Sequence, residues 1–215
     1  MGYKTVKGQA IGEYEEKKSL FIGAVARVES EEEARDFINR IRAEHREARH
    51  NVYAYSIGKN CEIQRYSDDG EPQGTGGIPV LEVIKKNNIT DVVVVVTRYF
   101  GGVLLGAAGL VRAYSKAAAL AVKEAGTIEK VNGLLFKIQL DYDLHGKVEY
   151  TFNKNHWQIV DTEYSHKVVL SILCEKEKAE EIKTGLVEIT NNKFQLLSQE
   201  EGIYFKEDDG TLVMI

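Results

Sequence analysis

Residues 92–117 read VVVVVTRYFGGVLLGAAGLVRAYSKA, and this stretch decides the fold of the first half of the chain. The five valines form a continuous apolar run of the length of one strand, so they predict a strand that is buried on both faces. From about Ala107 to Ala125, small and apolar residues recur at helical spacing and predict a long helix with a closely packing face. The glycines between the two elements allow positive φ angles and close backbone approach, which indicates a built surface loop.

Patterns upstream of this stretch predict further elements of the same unit. Ser30 is a good N-cap residue, and Glu33 completes a capping box that begins a helix. The other predicted elements are strands at 21–28, near 52–57 and near 62–66, and a helix from Pro79 through Lys86.

The pattern changes near 127–133, where a second unit is expected to begin. The elements that follow are predicted in the order βαββαβ, which is the ferredoxin-like arrangement. We therefore predict an α+β chain with a first domain at 1–130, a ferredoxin-like domain at 131–206 and a tail at 207–215. Because this arrangement hosts many functions, it decides little about activity.

The net charge of −5 is distributed unevenly along the chain. Residues 1–130 hold 19 Lys and Arg against 18 Asp and Glu, whereas residues 131–215 hold 9 against 15. All nine arginines lie at or before Arg112. Arginine presents a planar fork that suits phosphate and carboxylate, so any anion-binding role is expected in the first domain. The chain as a whole is not a basic nucleic-acid coat.

Location and cofactors are indicated only by what the sequence does not show. The two cysteines lie far apart and suggest no disulfide framework, and the polar start does not resemble a signal peptide. The longest apolar run is too short to span a bilayer, so no membrane association is expected. These features predict a reducing, cytoplasmic location. The histidines show no metal-ligand spacing, and no metal or cofactor is predicted.

Residues 68–79 read DDGEPQGTGGIP and begin with an acidic segment. Asp68, Asp69 and Glu71 are candidates for binding a hard cation or for acid–base chemistry. The alternative is that these carboxylates cap a turn, bond backbone amides or pair with a nearby arginine.

The glycines of this segment precede a predicted helix. Backbone amides at a helix start can cradle an anion, which makes Gly74, Thr75 and Gly77 candidates for ligand binding. No Gly-Lys-Ser/Thr follows, so the segment is not a P-loop. A structural tight turn is the alternative.

The segment TRYFGG follows the predicted buried strand, and loops at such positions often bind ligands. Arg98 beside Tyr99 and Phe100 is suited to hold a phosphate and stack a base, and Gly101 and Gly102 complete the candidate loop. The alternative is that the two aromatic side chains fill the core while the arginine pairs with the acidic segment.

The long helix carries a basic stripe. Arg112, Lys116 and Lys123 fall within roughly 40° of one another around the helix axis. The first two are added to the candidate ligand-binding residues, with a merely solvated face as the alternative. We also expect segments 68–79 and 98–102 to face each other across one groove, with the arginine pairing with a carboxylate of the acidic segment.

Three motifs together resemble the IMPACT family in its bacterial two-domain, YigZ-type form: ARHNVYAY (48–55), DDGEPQGTGGIP (68–79) and VVTRYFGGVLLGAAGLVRAY (95–114). The resemblance runs through the first domain, and the ferredoxin-like second unit fits the bacterial form. Two positions depart from the family pattern. Leu20 stands where an arginine is usual, and Ala108 stands where a glycine is usual.

The resemblance implies a fold and a field of activity. The first domain is expected to resemble the ribosomal-protein domain of β-α-β type that is also found in translocating elongation factors, and the second to resemble the ferredoxin-like terminal domains of elongation factor G. Eukaryotic relatives modulate translation under amino-acid starvation by competing for a kinase-activating partner. The family transfers no catalytic residues to this chain.

The leading hypothesis is a cytoplasmic protein that regulates translation and binds RNA, the ribosome or a translation protein through its first domain. One alternative is a hydrolase that uses Asp68, Asp69 or Glu71, although no catalytic constellation is identified. The other alternative is a pure protein-interaction module.

Overall fold

The computed structural model describes residues 2–214 and divides into two compact units. The N-terminal unit is Tyr3–Ile128, and the C-terminal unit begins at Glu129 and includes Gly2. Within the described range, no helix is long and apolar enough to cross a membrane. The elements of the N-terminal unit are β1 (Tyr3–Val6), β2 (Ala10–Glu16), β3 (Ser19–Arg27), α1 (Glu31–Glu44), β4 (His50–Ile57), β5 (Ile63–Ser67), α2 (Gly77–Lys86), β6 (Val92–Tyr99) and α3 (Gly106–Ala125).

The valine run forms β6, the central strand of a five-stranded sheet with the order β2-β3-β6-β4-β5. β6 pairs antiparallel with both β3 and β4. Val92, Val94 and Val96 belong to one core with α2 and α3, while Val93 and Val95 belong to a second core with α1. The prediction of a strand buried on both faces is therefore confirmed, because helices cover both sides of the sheet.

Helix α1 begins where the capping signal predicts. Ser30 Oγ accepts a hydrogen bond from the Glu33 N–H at 3.1 Å. The Glu33 carboxylate in turn accepts from the N–H of Glu29 at 2.8 Å, one residue before the N-cap. The predicted helix start is confirmed, with the returning bond shifted by one residue.

The small face of α3 packs directly on the sheet. A Cβ atom at Gly23 would lie 2.5 Å from the Ala117 carbonyl oxygen, so only glycine permits this approach between β3 and the helix. Ala117 and Ala121 are fully buried at the contact. This close packing fixes the position of α3 relative to the sheet.

The C-terminal unit has the ferredoxin-like topology that the sequence predicts. Its strands lie in the order β10 (Phe194–Lys206), β7 (Thr127–Leu140), β9 (Val168–Glu175) and β8 (Gln158–Tyr164), with every neighbouring pair antiparallel. Phe136, Phe152, Ile172 and Leu186 are at most 1% exposed in its core. The elements are β7 (Thr127–Leu140), α4 (Tyr142–Asn155), β8 (Gln158–Tyr164), β9 (Val168–Glu175), α5 (Ala179–Thr190), β10 (Phe194–Lys206) and β11 (Leu212–Val213), with a 3-10 turn at Lys176–Lys178.

The segment expected as a tail, 207–215, contains a turn and the short strand β11, which pairs antiparallel with β10. Leu212 is 3% exposed, and its backbone N–H and C=O both bond to the side-chain amide of Gln158. The apolar Leu212 thus anchors the segment against the C-terminal unit, while residues 1 and 215 lie outside the described range.

Candidate functional site

Asp68 organises the glycine-rich loop from within. Its Oδ1 accepts hydrogen bonds from the N–H groups of Gly76 and Gly77 at 2.9 and 2.8 Å, and its Oδ2 accepts from Gly74 at 2.8 Å. Burial raises the pKa of the carboxyl, but the three backbone donors outweigh burial and hold it below its ordinary value. The sequence indicated that backbone amides of this loop could bind an external anion, whereas in the structure these amides donate to the carboxylate of Asp68. The geometry favours the tight-turn interpretation of this loop.

Asp69 and Thr75 also bond within the N-terminal unit. Asp69 Oδ1 accepts from Arg42 Nη2 at 2.8 Å, and Oδ2 accepts from the Asn51 N–H at 2.6 Å. The Thr75 hydroxyl donates to the Pro72 carbonyl oxygen at 2.6 Å. Both side chains hold the loop in place.

Glu71 forms the buried centre of the site. Its Oε1 accepts hydrogen bonds from Arg98 Nη1 and from the Tyr114 hydroxyl, each at 2.7 Å. The pKa of Tyr114 is raised far above its ordinary value, because the hydroxyl is buried and donates to this carboxylate. The expected pairing of Arg98 with the acidic segment is confirmed, and Glu71 is the partner. Since the arginine side chain is only 8% exposed, it is not presented to a phosphate in solution.

A cavity of about 440 Å³, which we name the Phe100 groove, opens beside this ion pair. As predicted, both glycine-rich segments contribute to it: Glu71 and Pro72 from one, Arg98 and Phe100 from the other. Most of the lining is apolar, with charged groups on a few side chains. The described residues that line it are Arg49, His50, Glu71, Pro72, Arg98, Phe100, Leu104, Leu105, Gly106, Ala107 and Leu110.

Strand β6 extends through Arg98 and Tyr99, which the sequence placed after the strand, and Phe100 follows it. The two aromatic side chains, Tyr99 and Phe100, have different environments. Tyr99 is half-buried, and its hydroxyl lies 2.9 Å from His45 Nδ1. Phe100 is 52% exposed, so the alternative in which both rings fill the core is wrong for this residue. The Arg98 guanidinium lies 5.5 Å from the ring centroids of both Phe100 and Phe21, within the range of cation–π attraction.

Arg49 and His50 reach the groove from the start of β4. His50 Nδ1 donates to the Asp69 carbonyl oxygen at 2.8 Å, since a carbonyl can only accept. This bond leaves Nε2 of the neutral ring as an acceptor. Arg49 is exposed and makes no ion pair with any residue in the range 2–214. Neither residue is among the candidates that the sequence indicated for ligand binding, although both lie in the 48–55 motif.

Gly101 brings the loop after β6 against the beginning of β3. A Cβ atom there would lie 2.0 Å from the carbonyl carbon of Lys18, and the glycine N–H donates to Ser19 Oγ at 3.1 Å. Gly102 follows with a φ of +85°. In the structure, the two candidate glycines position the loop that presents Phe100.

Arg112 and Lys116 lie outside the Phe100 groove. Both are exposed on α3, as is Lys123, so the predicted stripe is present on the surface. Arg112 and Lys116 line a second cavity of about 560 Å³, which we name the α2–α3 groove. The described residues that line this groove are Tyr14, Val83, Lys86, Asn87, Val111, Arg112, Ser115, Lys116 and Ala119.

The acidic segment offers no free pair of carboxylates. Asp68 bonds three amides, Asp69 bonds an arginine and an amide, and Glu71 bonds an arginine and a tyrosine. Within residues 2–214, no three His, Cys, Asp or Glu side chains are grouped so that they could hold a metal ion. The geometry of this segment therefore does not support the hydrolase alternative.

The two units and the grooves define a class of protein. The chain is a two-domain α+β protein with candidate binding surfaces on its N-terminal unit and a ferredoxin-like C-terminal unit. Residues 17–122 match the model of the Impact N-terminal domain, and residues 138–193 match that of a domain of unknown function, DUF1949.

Similar proteins extend over nearly the whole chain. IMPACT family member YvyE of Bacillus subtilis is 39% identical over 191 residues, which cover 89% of this chain and 88% of the relative. IMPACT family member YigZ of Escherichia coli is 33% identical, covering 86% and 92%. The chain belongs to the IMPACT family. A crystal structure of a hypothetical protein aligns with a TM-score of 0.60 and 30% identity, covering 92% of this chain and 97% of that one.

Proposed function

We propose that this protein regulates translation and binds RNA, in the context of the ribosome, through the α2–α3 groove of its N-terminal unit. Membership of the IMPACT family supports the role in translation, and the chemistry of the groove supports RNA as the ligand. We infer a cytoplasmic location as well, because translation takes place there.

The observation that carries the proposal is a set of cations without carboxylate partners. Lys86, Arg112 and Lys116 converge on the α2–α3 groove, and none of them forms an ion pair within residues 2–214. Tyr14, which also lines the groove, donates a hydrogen bond to the Glu16 carboxylate at 2.7 Å. Unpaired lysine and arginine side chains gathered on one surface favour contact with a phosphate backbone, and this contact is independent of base sequence.

The uncharged side chains of the α2–α3 groove also suit a nucleic acid. Val83, Val111 and Ala119 contribute apolar side chains to the same lining, and Tyr14 contributes an aromatic ring. Single-stranded nucleic acids bind where a positive groove is combined with apolar or aromatic surface for the bases. This arrangement favours a single strand of RNA over a small anion.

A salt titration tests the proposal. The probe is a fluorescein-labelled single-stranded RNA of about 16 nucleotides, and its anisotropy is measured from about 50 mM to about 200 mM salt. We expect Arg112→Ala and Lys116→Ala each to weaken binding and to flatten the salt dependence by about 0.7 in logarithmic slope. Lys59→Ala is the matched control, because Lys59 is exposed on the same unit but does not line the groove.

Co-sedimentation with purified ribosomes connects RNA binding to translation. The wild-type chain and Lys59→Ala should sediment with ribosomes at low salt, and the double variant Arg112→Ala/Lys116→Ala should remain in the supernatant. Equal RNA affinity for all variants, or no RNA binding by the wild type, would refute the proposed surface.

A further inference from the structure

We propose that the Phe100 groove binds an acidic peptide segment of a partner protein, with a large apolar side chain of that segment seated in the groove. The inference rests on surfaces separate from the α2–α3 groove, so it is independent of RNA binding.

The first observation is exposed apolar surface at the groove. Leu104 is 83% exposed and Phe100 is 52% exposed, and both line the cavity, while Val103 between them in sequence is 44% exposed. Large apolar side chains that gather at one exposed place typically mark an interaction site. The cavity volume of about 440 Å³ falls in the range of specific ligand pockets and is large enough for one or two bulky side chains.

The second observation is the charge of the lining. Glu71 is neutralised by Arg98 inside the groove, with 2.7 Å between the paired atoms. Arg49 then remains as an exposed cation with no ion pair in the described chain. The groove therefore carries a net positive charge, and an occupant with a carboxylate beside its apolar group would complement it.

The third observation is a set of unused hydrogen-bonding atoms in the lining. Arg98 Nε is buried and has no hydrogen-bond partner within residues 2–214. His50 Nε2 is an available acceptor, because Nδ1 donates to a backbone carbonyl. His50 Nε2 can therefore accept a hydrogen bond from an N–H group of a peptide backbone, a donor that simple carboxylates do not carry.

RNA fits this groove poorly. Among the described residues that line it, Arg49 is the one exposed cation, since Arg98 is committed to Glu71. A phosphate backbone requires several cations along its path. The geometry therefore assigns a peptide to the Phe100 groove.

Selection from a phage-displayed library of random peptides of about twelve residues, with the full chain as bait, tests the proposal. The expected consensus contains Asp or Glu within a few positions of Leu, Ile, Met, Phe or Trp. A basic consensus, a consensus without a large apolar residue, or no enrichment would overturn it.

The best selected peptide is then synthesised with a fluorescent label and measured by anisotropy. Leu104→Asp and Arg49→Glu should each weaken binding about tenfold or more, because one removes the apolar contact and the other reverses the rim charge. Arg35→Glu is the matched control and should stay within about twofold, since Arg35 is exposed on α1 and lies outside the groove. Circular dichroism verifies that the three variants are folded.

Two further arms separate this site from the RNA surface. Arg112→Ala should leave peptide affinity unchanged, and the single-stranded RNA probe should not displace the peptide. Displacement by RNA, or equal peptide affinity for the wild type, Leu104→Asp and Arg49→Glu, would overturn the assignment even if the α2–α3 groove binds RNA.

Discussion

Arg98 Nη1 lies 2.7 Å from Glu71 Oε1, and the two side chains are only 8% and 4% exposed. The same carboxylate oxygen also accepts from the Tyr114 hydroxyl. One oxygen atom thus connects the acidic segment, the end of β6 and the middle of α3. The pair acts as a buried cross-link that holds the walls of the Phe100 groove together.

Replacing Arg98 should destabilise the N-terminal unit, because its side chain is part of a buried ion pair. Arg98→Met leaves the Glu71 charge buried without its cation, which should lower the free energy of unfolding by about 3–5 kcal/mol. Urea denaturation followed by far-UV circular dichroism measures the change.

An exposed arginine pair provides the control for this substitution. Arg65 is 61% exposed and lies 3.9 Å from Glu31, so Arg65→Met should change stability by less than about 1 kcal/mol. Adding Glu71→Leu to Arg98→Met should recover part of the loss, because the uncompensated charge is removed. A loss below about 1 kcal/mol for Arg98→Met would contradict a buried, structural ion pair.

The sequence predicted the parts of the fold that depend on local pattern. The valine run became the central strand, and Ser30 with Glu33 marked a helix start, because strand burial and helix capping are determined by residues close together in the chain. The order βαββαβ likewise sufficed to predict the ferredoxin-like topology of the C-terminal unit. The strand β11 could not be predicted, because Leu212 and Val213 form too short a pattern and are stabilised by distant residues.

The candidate site was predicted less completely, because its contacts are between distant segments. Three carboxylates could have paired with Arg98, and the fold of the loop selects Glu71 by turning Asp68 inward to the amides. The sequence assigned Arg98 and Arg112 to one set of candidate ligand-binding residues. In the structure, Arg112 lines a separate groove together with Lys86 of α2. The angular position of Arg112 on its own helix does not show which other helix packs next to it.

Tyr114→Phe should remove one hydrogen bond to a charged acceptor while the ring packing is retained. The Tyr114 ring meets Phe21 edge-on at 5.1 Å, so the phenyl ring should remain in place. We expect a loss of about 1.5–3 kcal/mol in the free energy of unfolding. Tyr66→Phe, at a 48% exposed tyrosine, should be close to neutral.

The effect of this substitution should also depend on alkaline pH. Because the folded pKa of Tyr114 is raised above its ordinary 10.0, the stabilisation is fully present below about pH 10 and decreases as pH rises further. The difference between wild type and Tyr114→Phe, measured by urea denaturation, should therefore be smaller at about pH 11 than at about pH 8. A difference independent of pH would argue against the raised pKa.

Two glycine-to-alanine substitutions should have opposite effects. Gly101→Ala places a Cβ atom 2.0 Å from the Lys18 backbone and should destabilise the N-terminal unit by about 1–3 kcal/mol. Gly146 lies in α4, and a Cβ atom added there would have no neighbouring atom within 4 Å, so Gly146→Ala should stabilise the C-terminal unit by about 0.8–1.0 kcal/mol. Fluorescence of Trp157, the chain's one tryptophan, reports the C-terminal unit, and circular dichroism reports both. Destabilisation by both substitutions would contradict the packing described for Gly146.

Asp68→Asn should lower the free energy of unfolding at neutral pH, and the loss should become smaller in acid. Asp68 Oδ1 accepts from the amides of Gly76 and Gly77 and Oδ2 accepts from Gly74, and the substitution replaces one of these two oxygens by an NH2 group, so one or two donors lose their acceptor. At neutral pH we expect a loss of about 1–3 kcal/mol in the free energy of unfolding.

Because the folded pKa of Asp68 is below its ordinary 3.8, its contribution is present above that value and is lost as pH falls through the lowered folded pKa. The difference between wild type and Asp68→Asn should therefore shrink in strongly acidic solution. Asp36→Asn, at an exposed position of α1, serves as the control and should show little difference at any pH. Guanidinium denaturation across the acid range measures both variants, and an Asp68→Asn deficit that grows toward low pH would show that the carboxylate is not held in its charged form by these amides.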